Sequence, residues 1–135
     1  MTQKDKKLLL QDLCARLQYG VKSKSQTSHL ESNTIDGYFV DGDGTKMFHL
    51  SEPDFWQEVE HFQYYLRPMS SMTNEEKEEE RLLWDIVTKT RNDLHYLYTD
   101  FLLSHHLDYR GLISKGLVLE APEDMYKEYE YEKIF

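Results

Sequence analysis

A single cysteine, Cys14, stands in 135 residues, so the chain can form no internal disulfide. No apolar run approaches the roughly 18 residues that a membrane-spanning helix needs. Met1 to Lys7 is basic, but only Leu8, Leu9 and Leu10 follow before Gln11 and Asp12, too short for the apolar core of a secretory signal. These absences predict a cytoplasmic protein that does not enter a membrane. A glycine-rich phosphate loop, a Ser/His/Asp arrangement and a catalytic Cys/His signature are missing too. An enzyme is therefore the minority reading, and no cofactor is expected. Positive charge is scarce: 16 Lys and Arg face 25 Asp and Glu, for a net charge of −9. Residues 1–24 carry +4, whereas residues 25–72 carry −6. A broad acidic surface repels phosphate backbones, which disfavours direct nucleic-acid binding outside the basic N-terminal stretch.

What the chain has in excess is aromatic surface. Ten Tyr, six Phe and two Trp make 13% of the residues. Such rings carry much of the burial energy, and a Tyr keeps a polar tip for water or a partner. The length fits one domain. It divides into a β-containing half over residues 1–68 and a helical half over 69–135, sharing one core because neither holds enough apolar residues alone.

Leu9, Leu10, Leu13, Cys14 and Leu17 fall at helical spacing, with Lys6, Lys7, Gln11, Asp12 and Arg16 opposite, and Gly20 ends the pattern. On this spacing Cys14 is a small buried hydrophobe. Residues 21–27 and 29–35 read as weak strands. The best β signal is Gly37 to Val40 and Lys46 to Leu50 around an Asp/Gly cluster, the chemistry of a hairpin. Pro53 opens a short helix over 54–62 that places Phe55, Val59 and Phe62 on one face. Pro68 then breaks the chain. Thr73 and Glu76 form a capping box for a helix with Leu82, Leu83, Ile86 and Val87 as its buried stripe. A second helical stretch carries Leu94, Leu97, Tyr98, Phe101 and Leu102, restarting at Asn92 or Asp93. Gly111 and Gly116 mark a turn-rich stretch that Pro122 ends, before an acidic, Tyr-rich tail over 123–135. The class is α+β, with an N-terminal helix, a small antiparallel sheet and a C-terminal helical half.

Two segments, Tyr65 to Thr73 and Leu107 to Tyr126, carry a resemblance. With the N-terminal helix and small β region in the same order, the sequence resembles a group of small uncharacterised proteins from gut anaerobic bacteria, many of them carried on prophages or other mobile elements. The match covers most of the chain and is loose over residues 25–62. The resemblance implies no activity.

Three constellations bear on chemistry. Asp41, Asp43, Thr45 and Glu52 approach the ligand spacing of a calcium loop, but Lys46 stands where that motif requires glycine. A hairpin turn fits better. His105, His106 and Asp108 converge in sequence but lack a third strong ligand spacing, and histidine at a helix C-terminus has an electrostatic reason of its own. Asp108, Tyr109, Arg110 and Arg67 form the candidate partner surface, since arginine pairs bidentately with carboxylates and Tyr109 offers a stacking face. The competing reading makes the 108–111 turn an internal anchor, with Arg110 pairing a carboxylate such as Asp108, and makes Arg67-Pro68 a rigid hinge.

The aromatic surplus and the missing catalytic signature favour a non-enzymatic protein-interaction module with a protein partner. Two alternatives stand beside it: an acidic inhibitor that mimics nucleic acid before a host defence enzyme, and a small metal-dependent hydrolase using His105, His106 and Asp108.

Overall fold

The first helix is started by its own leading residues. Thr2 Oγ1 accepts from the Asp5 amide at 3.0 Å, and the Asp5 carboxylate accepts from the Thr2 amide. This box satisfies two of the amides that a helix start leaves open. Helix α1 runs Gln3–Arg16, a 3-10 turn follows over Leu17–Tyr19, and Gly20 stops it at a left-handed φ of 71°. The structure, a computed structural model of the chain, describes residues 1–24, 32–51, 55–89 and 94–126. The buried stripe of α1 differs from the expected one. Leu9, Asp12, Leu13 and Arg16 lie inside, whereas Cys14 is exposed. Positions 9, 12, 13 and 16 follow the i, i+3, i+4, i+7 spacing of a single helical face. That face buries a charged pair beside two leucines because the charges find partners inside.

Four antiparallel strands follow in sheet order: β1 Lys22–Lys24, β2 Ser32–Val40, β3 Lys46–Leu50 and β4 Phe55–Gln57. The expected hairpin joins β2 to β3. Its Asp41 carboxylate accepts from the amides of Asp43 at 3.0 Å and Thr45 at 3.3 Å, and Gly44 takes a φ of 89°. The acids of the calcium-like spacing thus build the turn; Glu52 lies outside the described residues. Between Ile35 and Gly37 the β2–β3 register shifts, leaving Asp36 as a bulge residue. The shift sets the faces. Ile35 pairs with Leu50, and Tyr38 with Phe48, on the inner side, while Gly37 pairs with His49 and Phe39 with Met47 on the outer side.

The helix expected over 54–62 is replaced by β4 and a 3-10 turn at Val59–His61. Pairing of Phe48, His49 and Leu50 with residues 55–57 gives the backbone partners on both sides, which outweighs the local helix-start signal. Val59 and Phe62 are still buried. Pro53 itself falls outside the described residues, as do 25–31 of the weak strand candidates.

The strand β5, Tyr65–Leu66, pairs in parallel with β6, Leu119–Glu120. A 3-10 turn at Met69–Ser71 leads to α2, Asn74–Lys89, and α3 spans His95–Ser104. The expected restart at Asn92 or Asp93 lies outside the described residues, as does the tail from 127 onward. In α2 the buried stripe is narrower than the sequence suggests. Glu76 and Val87 are buried and Leu83 is half-buried, but Leu82 and Ile86 are exposed. Among the described residues α2 meets chiefly α3, and positions 76, 83 and 87 share one edge of the helix.

One core cluster gathers Leu9, Leu13, Ile35, Phe48 and Leu50 with Leu112 and Val118 from the far end of the chain. A second joins Phe101, Leu102 and Leu107 to Met69, Met72 and Leu83. The fold is α+β, and among the described residues no helix is long and apolar enough to cross a membrane.

The capping box of α2 is in place: Thr73 Oγ1 accepts from the Glu76 amide at 3.1 Å, and Glu76 accepts from the Thr73 amide at 2.9 Å. Thr73→Ala removes the first bond and should cost about 1 kcal/mol in urea unfolding. An unchanged midpoint would show that the cap carries no stability.

Candidate functional site

The sequence-predicted residues converge on a buried polar centre rather than on an open pocket. Asp12 and Arg16, both inaccessible to solvent, form an i,i+4 pair with Nε 2.8 Å from Asp12 Oδ2. The Tyr64 hydroxyl donates to the same oxygen at 2.7 Å, and Arg110 Nε reaches Oδ1 at 2.9 Å. Arg110 therefore pairs with Asp12 across 98 residues of sequence, not with Asp108. Arg16 Nη2 donates to the Leu107 carbonyl at 2.8 Å. Both guanidiniums lie near the Tyr109 ring, that of Arg16 at 5.6 Å from its centre and that of Arg110 at 4.9 Å. Burial first, and the Asp12 carboxylate second, push the Tyr64 hydroxyl well above its ordinary range, so it remains a donor.

A second network abuts the first. Arg67 makes a two-pronged pair with Glu76, at 2.8 and 2.7 Å, and donates further to Ser71 and to the His105 carbonyl. His105 Nδ1 lies 2.8 Å from Glu76. Burial opposes the charge on Glu76. Bonds from Arg67, His105 and the Thr73 amide outweigh that and hold its carboxyl far below the usual range. Asp108 accepts from the amides of Leu112 at 2.8 Å and Ile113 at 2.9 Å, closing the turn that Gly111 permits at φ 71°. Asp108, Arg110 and Arg67 of the candidate partner surface thus bond within the protein through their side chains, and the Tyr109 ring packs near two of its guanidiniums. Beside them a cleft of about 200 Å³ opens between Pro68, Ser71 and Thr73 on one side and Pro122, Glu123 and Tyr126 on the other.

The hydrolase triad does not assemble. His105 turns to Glu76 and Asp108 to backbone, while His106 stacks on Tyr126 with ring centres 3.8 Å apart. Among the described residues one group gathers three candidate ligands, Glu58, Glu60 and His61. The Lys6 ammonium already sits there, 3.8 Å from Glu58 and 3.1 Å from Glu60, supplying the positive charge a cation would bring.

The exposed chemistry lies elsewhere, on the outer face of the sheet. Phe39 and Trp56 are 43% and 42% exposed and meet edge to face at 4.9 Å. The His49 ring is 4.9 Å from Trp56, and its Nδ1 bonds the bulge residue Asp36. On the helices Leu82, Trp84, Ile86 and Tyr96 are exposed as well. Sequence reading had marked Tyr38 to Val40 as strand, but the bulge that sends Phe39 outward has no local signature. No family model, no curated protein and no solved structure matches the chain.

Two measurements test the centre. Asp12→Ala leaves a buried arginine uncompensated and should cost about 3–5 kcal/mol in urea unfolding. Arg110→Ala, half at the surface, leaves Asp12 its other two donors and should cost about 1–2 kcal/mol. Equal losses would show that the carboxylate is not the shared node. The second measurement concerns pH. Burial chiefly, with Arg16 and Arg67 adding to it, lowers His106 to about 3. Its folded pKa is below its unfolded value, so the unfolded chain binds the proton first. Stability is therefore complete above about pH 6.5 and falls as the pH drops toward 3, by up to about 1.4 kcal/mol per unit. His106 also holds a left-handed φ of 60°, a conformation asparagine tolerates. His106→Asn should flatten the stability profile between pH 6.5 and 5; a profile parallel to the parent's would place the dependence elsewhere.

Proposed function

We propose that the protein is a non-enzymatic protein-interaction module whose working surface is the outer face of the sheet. One observation carries this reading. The arginines and the carboxylate that chemistry would recruit are bonded internally, while two large aromatic side chains stand outward on β2 and β4, which flank β3, and meet edge to face. Exposed aromatics on well-ordered elements are the usual anchors of protein recognition. The partner surface expected at Tyr109 and Arg110 thereby moves to Phe39 and Trp56. Cytoplasmic location and carriage on a mobile element belong to the same proposal and rest on the sequence and its resemblance. The nucleic-acid-mimic alternative draws less support, because Glu78 and Asp85 of α2 are paired with Arg81 and Lys89.

Affinity capture from a lysate of the native host tests the reading by comparison of variants. Phe39→Ser and Trp56→Ala should fold like the parent yet lose the captured partner at least tenfold. Arg110→Ala should keep it once the protein is folded. Retention of the partner by both sheet variants would remove the sheet from the function.

A further inference from the structure

The outer face of the sheet combines aromatic rings with a carboxylate, Asp36, and that pairing selects a particular chemistry. Trp56 lies over Gly37, where an added Cβ would come within 3.4 Å of the indole and 3.0 Å of the His49 Cβ. The missing side chain lets the ring settle against the backbone as a fixed platform, with Phe39 standing at 88° to it. The bulge places Asp36 next to His49, and its half-exposed carboxylate bonds that imidazole.

Each class of occupant meets this surface differently. A polyanion is repelled by that carboxylate and by the chain's net charge of −9. A purely apolar partner would strip water from the Asp36 carboxylate and return no compensating charge. A guanidinium satisfies both halves: its plane stacks on the indole, the strongest of the aromatic acceptors for a cation, and its N–H groups reach a carboxylate. We infer that the face formed by Phe39, Trp56 and Asp36 docks a basic, arginine-bearing segment of a partner protein. The inference rests on the interaction-module reading and names the chemistry of its partner.

The test uses the full chain carrying Trp84→Phe, so that Trp56 is the only tryptophan. A nine-residue peptide alternating arginine and glycine is titrated against its emission, beside the same peptide with citrulline for arginine. The arginine peptide should bind saturably and weaken as salt rises. The citrulline peptide, neutral but equal in shape, should bind at least tenfold more weakly. By calorimetry, Trp56→Ala should lose about tenfold in affinity and Trp56→Phe less. Asp36→Asn should lose severalfold, and Glu79→Gln, which removes one equivalent charge from exposed α2, should change little. Equal binding of the two peptides, or equal losses from Asp36→Asn and Glu79→Gln, would overturn the inference. So would tighter binding of a single-stranded oligothymidine. Should the arginine peptide fail while Trp56→Ala still abolishes capture of the native partner, the module stands and its cationic partner does not.

Discussion

One buried carboxylate organises this protein. Asp12 has no contact with water, and an ionised carboxylate in that position survives only if its oxygens are fully engaged. Three donors engage them: Arg16 one turn along the same helix, the Tyr64 hydroxyl ahead of β5, and Arg110 from the turn after α3. Those donors come from three separate stretches of the sequence. Satisfying the acid therefore requires the helix, the β segment and the distal turn to arrive together. Apolar burial supplies most of the driving force, but it is indifferent to register, and the carboxylate is not.

The same requirement explains the crowding of polar residues between 105 and 113. Arg16 takes the Leu107 carbonyl, Arg67 bonds the backbone on either side of it, and Asp108 closes the following turn through two amides. Each of these groups is held from several directions. Residues so held keep a unique geometry and have little capacity left for a substrate. Two guanidiniums meet one carboxylate here, and the face of the nearby Tyr109 ring adds attraction for both. The neutral state of His106 follows from its burial first, with the charges of Arg16 and Arg67 adding to it.

How much of this could be read from the sequence depends on the range of each signal. The first helix, the hairpin at Asp41 to Thr45 and the Thr73–Glu76 box are local, each decided by residues within a turn of one another, and all three are where the sequence places them. The stripe of α1 was misread because Asp12 and Arg16 look solvated until their partners, up to 98 residues away, are known. The 54–62 segment was misread for the same kind of reason: a proline suggests a helix start, but the free side of β3 decides otherwise. Of the candidate site, Arg67, Asp108 and Arg110 were legible as residues that must bond something. Their partners were not. The aromatic face was invisible, because a single bulge residue settles which side chains point outward.

That bulge also separates what folding requires from what it does not. The inner side of the sheet is filled by Ile35, Phe48 and Leu50, all fully buried. Phe39 and Trp56 add nothing to that core. As an edge-to-face pair they contribute about 0.5–1.5 kcal/mol beyond their burial, while leaving much of both rings in water. Exposed rings on a sheet invite association, and proteins that gain nothing from it blunt the edge strands beside them. Here the edge strand β4 has only three residues, too short to template a further strand with any strength. The edge is thus guarded while the face is open. Edge protection is needed by any sheet, whatever its face does; under the proposed reading it also leaves a partner one way to approach, side-on across the rings.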